Sequence, residues 1–419
     1  MLEEIQKRPF ARPLFWWITG IVLQVCFPLQ QVSWLLLIIV AIVVVLSLCF
    51  VKRDADALYH YRWVWGALIF CLFIFFAIQS TYIAEKQMPT PPSSGWLQEK
   101  AKEVQADMVS KLDTLQISDD EKAILATITV NYRRALSRET RSRFTASGVA
   151  HLLSVSGFHV GIVCAFLGLL FSAFPKRSFF HRLKFILMIV LVWVYAFIAG
   201  LSNPAVRAAL MITIYLTGQV LRNRPERYNT LAAAAFCMLI YHPLSLFDIG
   251  FQLSFTAVFF ILYLQPRFYR LIELRNPIFK TLWGILTVTV AAQIGTVFLS
   301  CFYFGESSTV FLFTNLFLSL IATMLVPLTL LWMILPTGIP GIGILQWVIE
   351  ALSKSMMEVV NRFSQVPWAT FSLHFDLITL LCAYVILGLL LCYFQLKRSW
   401  MLFASLILIL FLLCKAIIA

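Results

Sequence analysis

The chain has 419 residues, of which 61% are hydrophobic and only 13% are charged. Soluble domains are nearer half apolar and a quarter charged, so the composition excludes an ordinary soluble domain and predicts a membrane protein. The formal charge of +13 would indicate nucleic-acid binding in a soluble protein. Here Lys and Arg on cytoplasmic loops are the simpler cause, because they set membrane topology.

Continuous apolar runs of about 17–25 residues predict helices that cross a hydrocarbon core of about 30 Å. The fold class is therefore all-α: a polytopic membrane protein with about twelve transmembrane helices, some of them broken or re-entrant. The predicted spans are residues 14–28, 32–51, 64–84, 149–173, 183–200, 204–221, 229–242, 250–266, 281–303, 309–335, 376–396 and 399–418. The predicted regions are 1–84 (N-terminal spans), 85–147 (a polar helical segment), 148–336 (the core) and 337–419 (an amphipathic helix and two spans).

The distribution of positive charge predicts the topology. Lys and Arg are frequent in four loops and absent from three short ones. The basic loops are 52–62, 174–184, 222–228 and 267–280, and the short loops without Lys or Arg are 200–203, 243–249 and 304–308. Because cytoplasmic loops carry this excess, we predict a cytoplasmic N-terminus and place residues 85–147 outside. The nine cysteines form no C-x-x-C pair, so we predict no metal site and no cofactor.

The polar segment 85–147 carries two local signals. Ser118 and Glu121 precede an apolar run, which is the pattern of a helix capping box. The segment ends in a cluster of arginines, namely Arg133, Arg134, Arg138, Arg141 and Arg143. Two interpretations of this cluster stay open. It is either a solvated helix face or an anion-attracting rim, which would attract a polyanion such as DNA most strongly at low salt.

Residues 342–366 are predicted to form an amphipathic helix, because Glu350, Lys354, Glu358 and Arg362 recur at a spacing of four on one face. This helix either lies in the membrane plane or crosses it, and the choice decides the side of the C-terminus. The basic pair after residue 396 favours an inner loop, which requires one more crossing before it.

The sequence HLLSVSGFHVG, residues 151–161, places polar and small residues inside an apolar run. They are His151, Ser154, Ser156, Gly157 and His159. Polar groups at membrane depth face a protein interior or a water-filled path. On one continuous helix they cover too wide an arc for a single face. Either protein surrounds the helix, or the helix breaks near Ser156 and Gly157 and its backbone lines a cavity. Close helix packing at the glycines is the alternative.

Two further motifs stand at predicted helix starts. In the first, Asn203 is predicted as an N-cap with Pro at the next position, which puts Arg207 in the first turn. A cation there opposes the helix dipole and needs an acceptor, unless it extends to the interface. In the second, Asp248 precedes the helix that carries Gln252. Asp248 is either an ordinary N-cap or a functional residue.

These predicted helix starts all lie on the outer side, so we expect His151, Arg207, Asp248 and Gln252 to share one outward vestibule. In it Arg207 and Asp248 would form an ion pair. Later helices add two amides, Gln293 and Asn315, which are predicted to make interhelical hydrogen bonds. All of these side chains are candidates for lining a channel or for a structural polar cluster.

The chain resembles the ComEC family of competence proteins. The resemblance rests on four strings in the same order, at residues 144–161, 203–211, 229–235 and 242–255, and covers roughly residues 118–335. It implies that residues 148–336 are a competence-type channel core that passes one DNA strand through the bacterial inner membrane during natural transformation. It also implies two partners, an outer DNA receptor and a cytoplasmic helicase-like or strand-binding protein.

The chain departs from fuller relatives, which carry an OB-like domain and a metallo-β-lactamase-like domain. Here a polar segment without alternating strands occupies the first position, and no H-x-H-x-D-H cluster occurs. We therefore expect no enzymatic activity. Two other functions stay open: a small-molecule or ion transporter, and an intramembrane hydrolase using Ser156 with His159 or His151.

Overall fold

Helices make up 82% of the structure, a computed structural model that describes residues 8–51, 62–87, 95–173, 178–221, 226–336 and 339–418. The first helices are α1 (Ala11–Cys26), α2 (Val32–Val51), α3 (Arg62–Gln87), α4 (Trp96–Ser110), α5 (Asp119–Val130), α6 (Arg138–Ala146), α7 (Gly157–Leu170) and α8 (Ser178–Ile198). They are followed by α9 (Asn203–Val220), α10 (Arg227–Tyr241), α11 (Ile249–Tyr269), α12 (Pro277–Phe304), α13 (Phe311–Ile334), α14 (Ile342–Ser364), α15 (Leu377–Leu396) and α16 (Ser399–Ile418).

Two short strands, β1 (Glu306–Ser308) and β2 (Thr370–Ser372), pair antiparallel. Short 3-10 turns occupy Lys111–Thr114, Ala150–Leu153, Phe171–Ala173 and Pro243–Phe247. The all-α prediction is thus correct for nearly all of the described chain, and the ribbon of β1 and β2 is the exception. The basic loops predicted at 52–62 and 222–228 lie largely outside the described residues.

Five helices within the described residues are long and apolar enough to cross a membrane: α3, α11, α12, α13 and α15. Shorter apolar helices lie within α1, α2, α7 and α16. The chain is therefore a multi-pass membrane protein. The predicted count of about twelve spans stays a prediction, although each predicted span overlaps an observed helix.

The predicted span 149–173 is divided, as the break near Ser156 and Gly157 anticipated. A 3-10 turn at Ala150–Leu153 is followed by extended residues, and α7 starts afresh at Gly157. The backbone N–H of Ser156 donates to Nδ1 of His159 at 3.1 Å, which helps to fix the start of α7. With 14 residues, α7 is about 21 Å long and shorter than the hydrocarbon core.

Residues 304–308 do not form the simple outer loop that was predicted. Gly305 adopts φ +68°, which turns the chain back, and β1 then runs alongside α12. Nε2 of Gln293, within α12, donates to Oγ of Ser307 at 3.4 Å. Ser307 therefore lies beside the interior of α12 rather than beyond its end. The chain thus re-enters the bundle alongside α12, and the hydrogen bonds between β1 and β2 satisfy the backbone groups of this re-entrant strand.

The amphipathic helix predicted at 342–366 is α14, and it packs against α13. Because β1 precedes this α13–α14 hairpin and its partner β2 follows it, the hairpin returns the chain to its starting point. Helix α15 then begins near the end of α12 and runs back, so that Gln395 Nε2 donates to the Tyr263 hydroxyl near the end of α11 at 2.6 Å. The loop at Lys397 and Arg398 therefore shares one end of the bundle with the α11–α12 loop. The side of the membrane on which this end lies stays a prediction.

The α13–α14 hairpin rests on the polar segment. Trp332 Nε1 donates to the Lys111 carbonyl at 3.4 Å, and Arg143 Nη1 donates to Oδ1 of Asn361 at 3.0 Å. The predicted capping box is present, since Ser118 and Glu121 each bind the other's backbone N–H. Behind this cap, α5 is buried from Ala123 to Val130.

The largest hydrophobic core joins α5, α7, α8, α9, α13 and α14. It contains fully buried side chains from several of these helices, including Leu125, Tyr195 and Leu325. Burying each aliphatic side chain of this kind stabilises the fold by about 1.5–3 kcal/mol. The Tyr195 hydroxyl donates to the carbonyl of Thr129 at 2.9 Å, so α8 and α5 are also joined by a polar contact. This core holds the starts of α7 and α9 in fixed positions.

Candidate functional site

Two histidines at the start of α7 have different surroundings. His151, in the turn before α7, is exposed. His159 is fully buried, its Nδ1 lies 3.1 Å from Oγ of Ser156, and its ring is near enough to His151 to interact electrostatically. Ser154 is half-buried, and its hydroxyl reaches the His151 carbonyl at 3.5 Å. An exposed histidine thus lies directly beside a fully buried one at the start of α7.

Asn315 connects this loop to the neighbouring helices. Its side chain hydrogen-bonds His151, and its Nδ2 donates to Oγ1 of Thr289 at 2.7 Å. Thr289 lies near the middle of α12, so the polar contacts extend well into the bundle. Asn315 thus makes the interhelical hydrogen bond that was expected of it. Gln293 makes its hydrogen bond to Ser307 of the re-entrant strand instead of to another helix.

The re-entrant strand and the His151 loop are packed together. Gly148 adopts φ +78°, and a Cβ there would lie 2.6 Å from Cβ of Ser308 and 2.7 Å from Cβ of Phe311. The Ser308 hydroxyl lies within hydrogen-bond distance of two carbonyl oxygens, that of Ala146 at 3.1 Å and that of Ala369 at 3.0 Å. Sequence reasoning missed the serines of β1. Their only signal was a pair of hydroxyls shortly after a glycine, with Glu306 between them.

Arg207 and Asp248 meet at the starts of α9 and α11. Nη1 of Arg207 lies 3.5 Å from Oδ2 of Asp248, while the Arg207 side chain is 6% exposed and that of Asp248 is 47% exposed. Asp248 also caps α11, because Oδ2 accepts the backbone N–H of Phe251 at 3.1 Å. The structure therefore contains the ion pair that was expected, and Asp248 is an N-cap as well.

The prediction for Asn203 was wrong by one position. Ser202 is the N-cap of α9, and Asn203 is its exposed first residue, followed by Pro204. Pro204 lacks a backbone N–H and is tolerated throughout the first helical turn. The local sequence is therefore compatible with an N-cap at either Ser202 or Asn203. Arg207 stays in the first two turns and faces the protein.

Gln252 is engaged in two hydrogen bonds that fix it in place. Its Oε1 accepts the Tyr303 hydroxyl at 2.7 Å, and its Nε2 donates to the Leu246 carbonyl at 3.0 Å. The contact with Tyr303 joins α11 to the end of α12. Tyr303 was not predicted, because an isolated tyrosine in an apolar helix gives no sequence signal for its partner. The structure thus brings His151, Asn315, Gln293 and the serines of β1 into one group, and Arg207, Asp248 and Gln252 into a second.

Of the arginines in the outer cluster, Arg133, Arg134, Arg138 and Arg141 are exposed, whereas Arg143 pairs with Glu139 at 2.5 Å. Arg133 and Arg134 line a cavity of about 520 Å³ together with Tyr132 and residues of α4. The lining from α4 includes Glu99, Lys102 and Glu103, so the cavity is not purely basic. Partial burial, and secondarily the charge of Arg141, lower the pKa of the Arg133 guanidinium, which nevertheless stays charged at neutral pH.

Within the described residues, no group of three or more His, Cys, Asp or Glu side chains is placed to hold a metal ion. The candidate site residues are hydrogen-bonding and charged groups. Their chemistry suits recognition and orientation of a polar or anionic ligand.

The family model described as "Competence protein" matches residues 128–398. The chain belongs to the competence protein family. The match reaches beyond the resemblance seen in the sequence strings and takes in the ribbon of β1 and β2, the α13–α14 hairpin and α15. Both groups of polar residues lie within it.

Two curated relatives are similar to this competence-family chain. ComE operon protein 3 of Bacillus subtilis (strain 168) is 31% identical over 190 residues, which are 45% of this chain and 23% of the relative. Recombination protein 2 of Haemophilus influenzae is 26% identical over 144 residues, 33% of this chain and 18% of the relative. The matched region thus spans less than a quarter of either relative. No solved structure matches the chain significantly.

Proposed function

We propose that this chain forms the membrane path for a single DNA strand in uptake during competence, in the bacterial inner membrane and with a cytoplasmic N-terminus. The observation that carries the proposal is the exposed His151 before α7, together with the hydrogen bonds that join Asn315 to Thr289 and Gln293 to Ser307 inside the bundle. Polar side chains at membrane depth are costly unless they face protein or a wet passage. Membership of the competence family supports DNA as the passing molecule.

The charge distribution favours a polyanion over a neutral solute or a cation. Exposed arginines at the end of the polar segment would attract phosphates before they enter. A small-molecule or ion transporter would not need this outer cluster. The aromatic content alone decides nothing, because most aromatic side chains pack in the core or face lipid.

The path has no motor of its own under this proposal. The sequence contains no G-x-x-x-x-G-K-[ST] phosphate loop. A cytoplasmic helicase-like or strand-binding protein would pull the strand, and an outer DNA receptor would deliver it. Both partners follow from the resemblance to ComEC and belong to the proposal.

Under this proposal the chain conducts DNA and is not a hydrolase. Oγ of Ser156 lies 3.1 Å from Nδ1 of His159, which resembles a nucleophile and its base. However, Nε2 of His159 is buried and has no hydrogen-bond partner in the described part of the chain, so no third group orients the ring as a general base. The contact instead fits the capping of α7, where Ser156 is the N-cap.

Uptake of fluorescently labelled DNA tests the proposal in cells with the wild type, a deletion, or Gln293→Leu. The matched control is Gln395→Leu, which makes the same change at an exposed glutamine. Gln395 lies at the far end of α15, away from the β1–β2 ribbon. We expect the deletion to abolish uptake, Gln293→Leu to reduce it and Gln395→Leu to leave it unchanged at equal protein levels. Normal uptake in the deletion strain would leave the proposed function without support.

A further inference from the structure

Arg207 is a buried cation with unused hydrogen-bonding capacity. A guanidinium carries five N–H donors. Nε of Arg207 is buried and has no hydrogen-bond partner among the residues that the structure describes. Nη1 reaches Asp248 only at 3.5 Å, longer than a well-formed charged hydrogen bond of about 2.7–2.9 Å. A buried arginine with one loose contact has donors available to a second anion.

The contact between Asp248 and Arg207 can open without unfolding α11. Oδ2 of Asp248, the oxygen nearest Arg207, also accepts the Phe251 N–H at 3.1 Å, so the carboxylate stays at the start of α11 when the guanidinium turns to another anion. Its side chain is 47% exposed, so water and solutes reach it. Gly250 keeps the space open, because a Cβ there would lie 3.1 Å from Nη2 of Arg207. The pair is therefore loose and approachable from the Asp248 side.

The surroundings favour an anion. The start of α7 lies beside α9, since a Cβ on Gly157 would be 3.9 Å from Cβ of Ala208. Helix α11 starts at Asp248 and contacts α9 as well. The N-terminus of α11 thus lies at Arg207 and that of α7 lies beside α9, and each of these helix starts contributes a partial positive charge. Nε2 of His159 and Oγ of Ser202 are further buried polar atoms without a partner in the described structure.

We propose that Arg207 is a binding site for backbone phosphodiesters and that Asp248 is its built-in competitor. This inference rests on the proposed function, because the phosphodiester is that of the passing strand. Each phosphate displaces the Asp248 carboxylate from Arg207 as it arrives, and the carboxylate returns as it leaves. Conduction needs binding that is favourable enough for entry and weak enough for exit. The Asp248 carboxylate competes for Arg207 and so weakens phosphate binding enough for the strand to leave. Without this competitor the site would hold the phosphate too tightly.

Asp248→Asn is the decisive variant. Asparagine keeps a side-chain oxygen for the N-cap and has nearly the same shape, but it loses the charge that competes for Arg207. The measurement is binding of a fluorescently labelled oligothymidylate to the full chain in lipid nanodiscs, followed by fluorescence anisotropy. We expect binding to tighten by about fivefold or more, the lower end of typical coupling between two sites. The matched control is Glu358→Gln, which removes the carboxylate that pairs with exposed Arg362 at 2.6 Å, and it should change nothing.

Two further arms connect the gain to phosphate and to Arg207. A methylphosphonate oligonucleotide, which has the same bases and no backbone charge, should bind wild type and Asp248→Asn equally. In the double variant Arg207→Ala with Asp248→Asn, the gain should vanish. Thermal unfolding of each variant shows that it is folded. If Asp248→Asn fails to tighten binding, or tightens it equally in the absence of Arg207 or of backbone charge, the competitor role is overturned.

The outcomes separate this inference from the proposed function. If deletion of the chain leaves DNA uptake normal while Asp248→Asn still tightens oligonucleotide binding through Arg207, the phosphate site stands and the uptake function falls. If deletion abolishes uptake but Asp248→Asn binds like the wild type, the uptake function stands and the competitor role of Asp248 falls.

Discussion

Gly148 is the position where one added methyl group should do most damage to the site. It has φ +78°, a conformation that costs a non-glycine residue about 1–2 kcal/mol. A Cβ would also lie 2.6 Å from Cβ of Ser308 and 2.7 Å from Cβ of Phe311, and neither of these atoms can rotate away. Overpacking of this kind costs about 1–3 kcal/mol. Together these effects predict that Gly148→Ala lowers the free energy of unfolding by about 2–5 kcal/mol.

The matched control for this change is Gly343→Ala. Gly343 lies in α14, and a Cβ there meets nothing within 4 Å. Alanine in a helix interior is favoured over glycine by about 0.5–1 kcal/mol, so this variant should be neutral or slightly more stable. Unfolding of the purified proteins by SDS in mixed micelles, followed by tryptophan fluorescence, measures both. If Gly148→Ala unfolds at the same SDS concentration as Gly343→Ala, the close packing of the His151 loop on the re-entrant strand is wrong.

Three other predictions concern charged groups. Gly250→Ala should push the guanidinium of Arg207 away from its position, and oligonucleotide binding should change clearly. Because alanine is also a good helix former, the free energy of unfolding should change by less than about 1 kcal/mol. Equal binding by this variant and wild type would contradict the tight fit at Gly250. Lys415 holds the pKa of Asp376 well below its ordinary value, mainly through their hydrogen bond. This contact therefore stabilises the protein fully above the unfolded pKa of about 4, and the stabilisation is lost as pH falls through the lower folded pKa. Acid unfolding of Asp376→Asn should therefore depend less on pH in that range than that of wild type, and identical pH profiles would argue against the pair. Arg134→Gln should weaken DNA binding at low salt and reduce the salt slope by about 0.7 if this arginine contacts one phosphate of a single strand; an unchanged slope would identify Arg134 as part of a merely solvated face.

The sequence alone determined where most helices begin and end, because those boundaries depend on local chemistry. Apolar runs set the helices, and Ser118, Asp248 and the Asn–Pro pair before Arg207 marked their starts to within about one residue. The break before α7 could also be foreseen, since the polar residues around Ser156 cover too wide an arc for one helix face. Even the pairing of Arg207 with Asp248 followed from the cost of an isolated charge at that depth.

Only the tertiary structure decided how these parts meet. A three-residue strand has no sequence signal of its own, and β1 finds β2 across the whole α13–α14 hairpin, so the re-entrant ribbon depends on long-range packing. The same packing selects Thr289 as the partner of Asn315 and Tyr303 as the partner of Gln252. Local sequence shows that a buried amide needs a partner, but the choice among many hydroxyls depends on which helix faces are adjacent. Backbone periodicity fixes the faces of one helix, whereas the fit of all side chains together fixes the neighbours of each face.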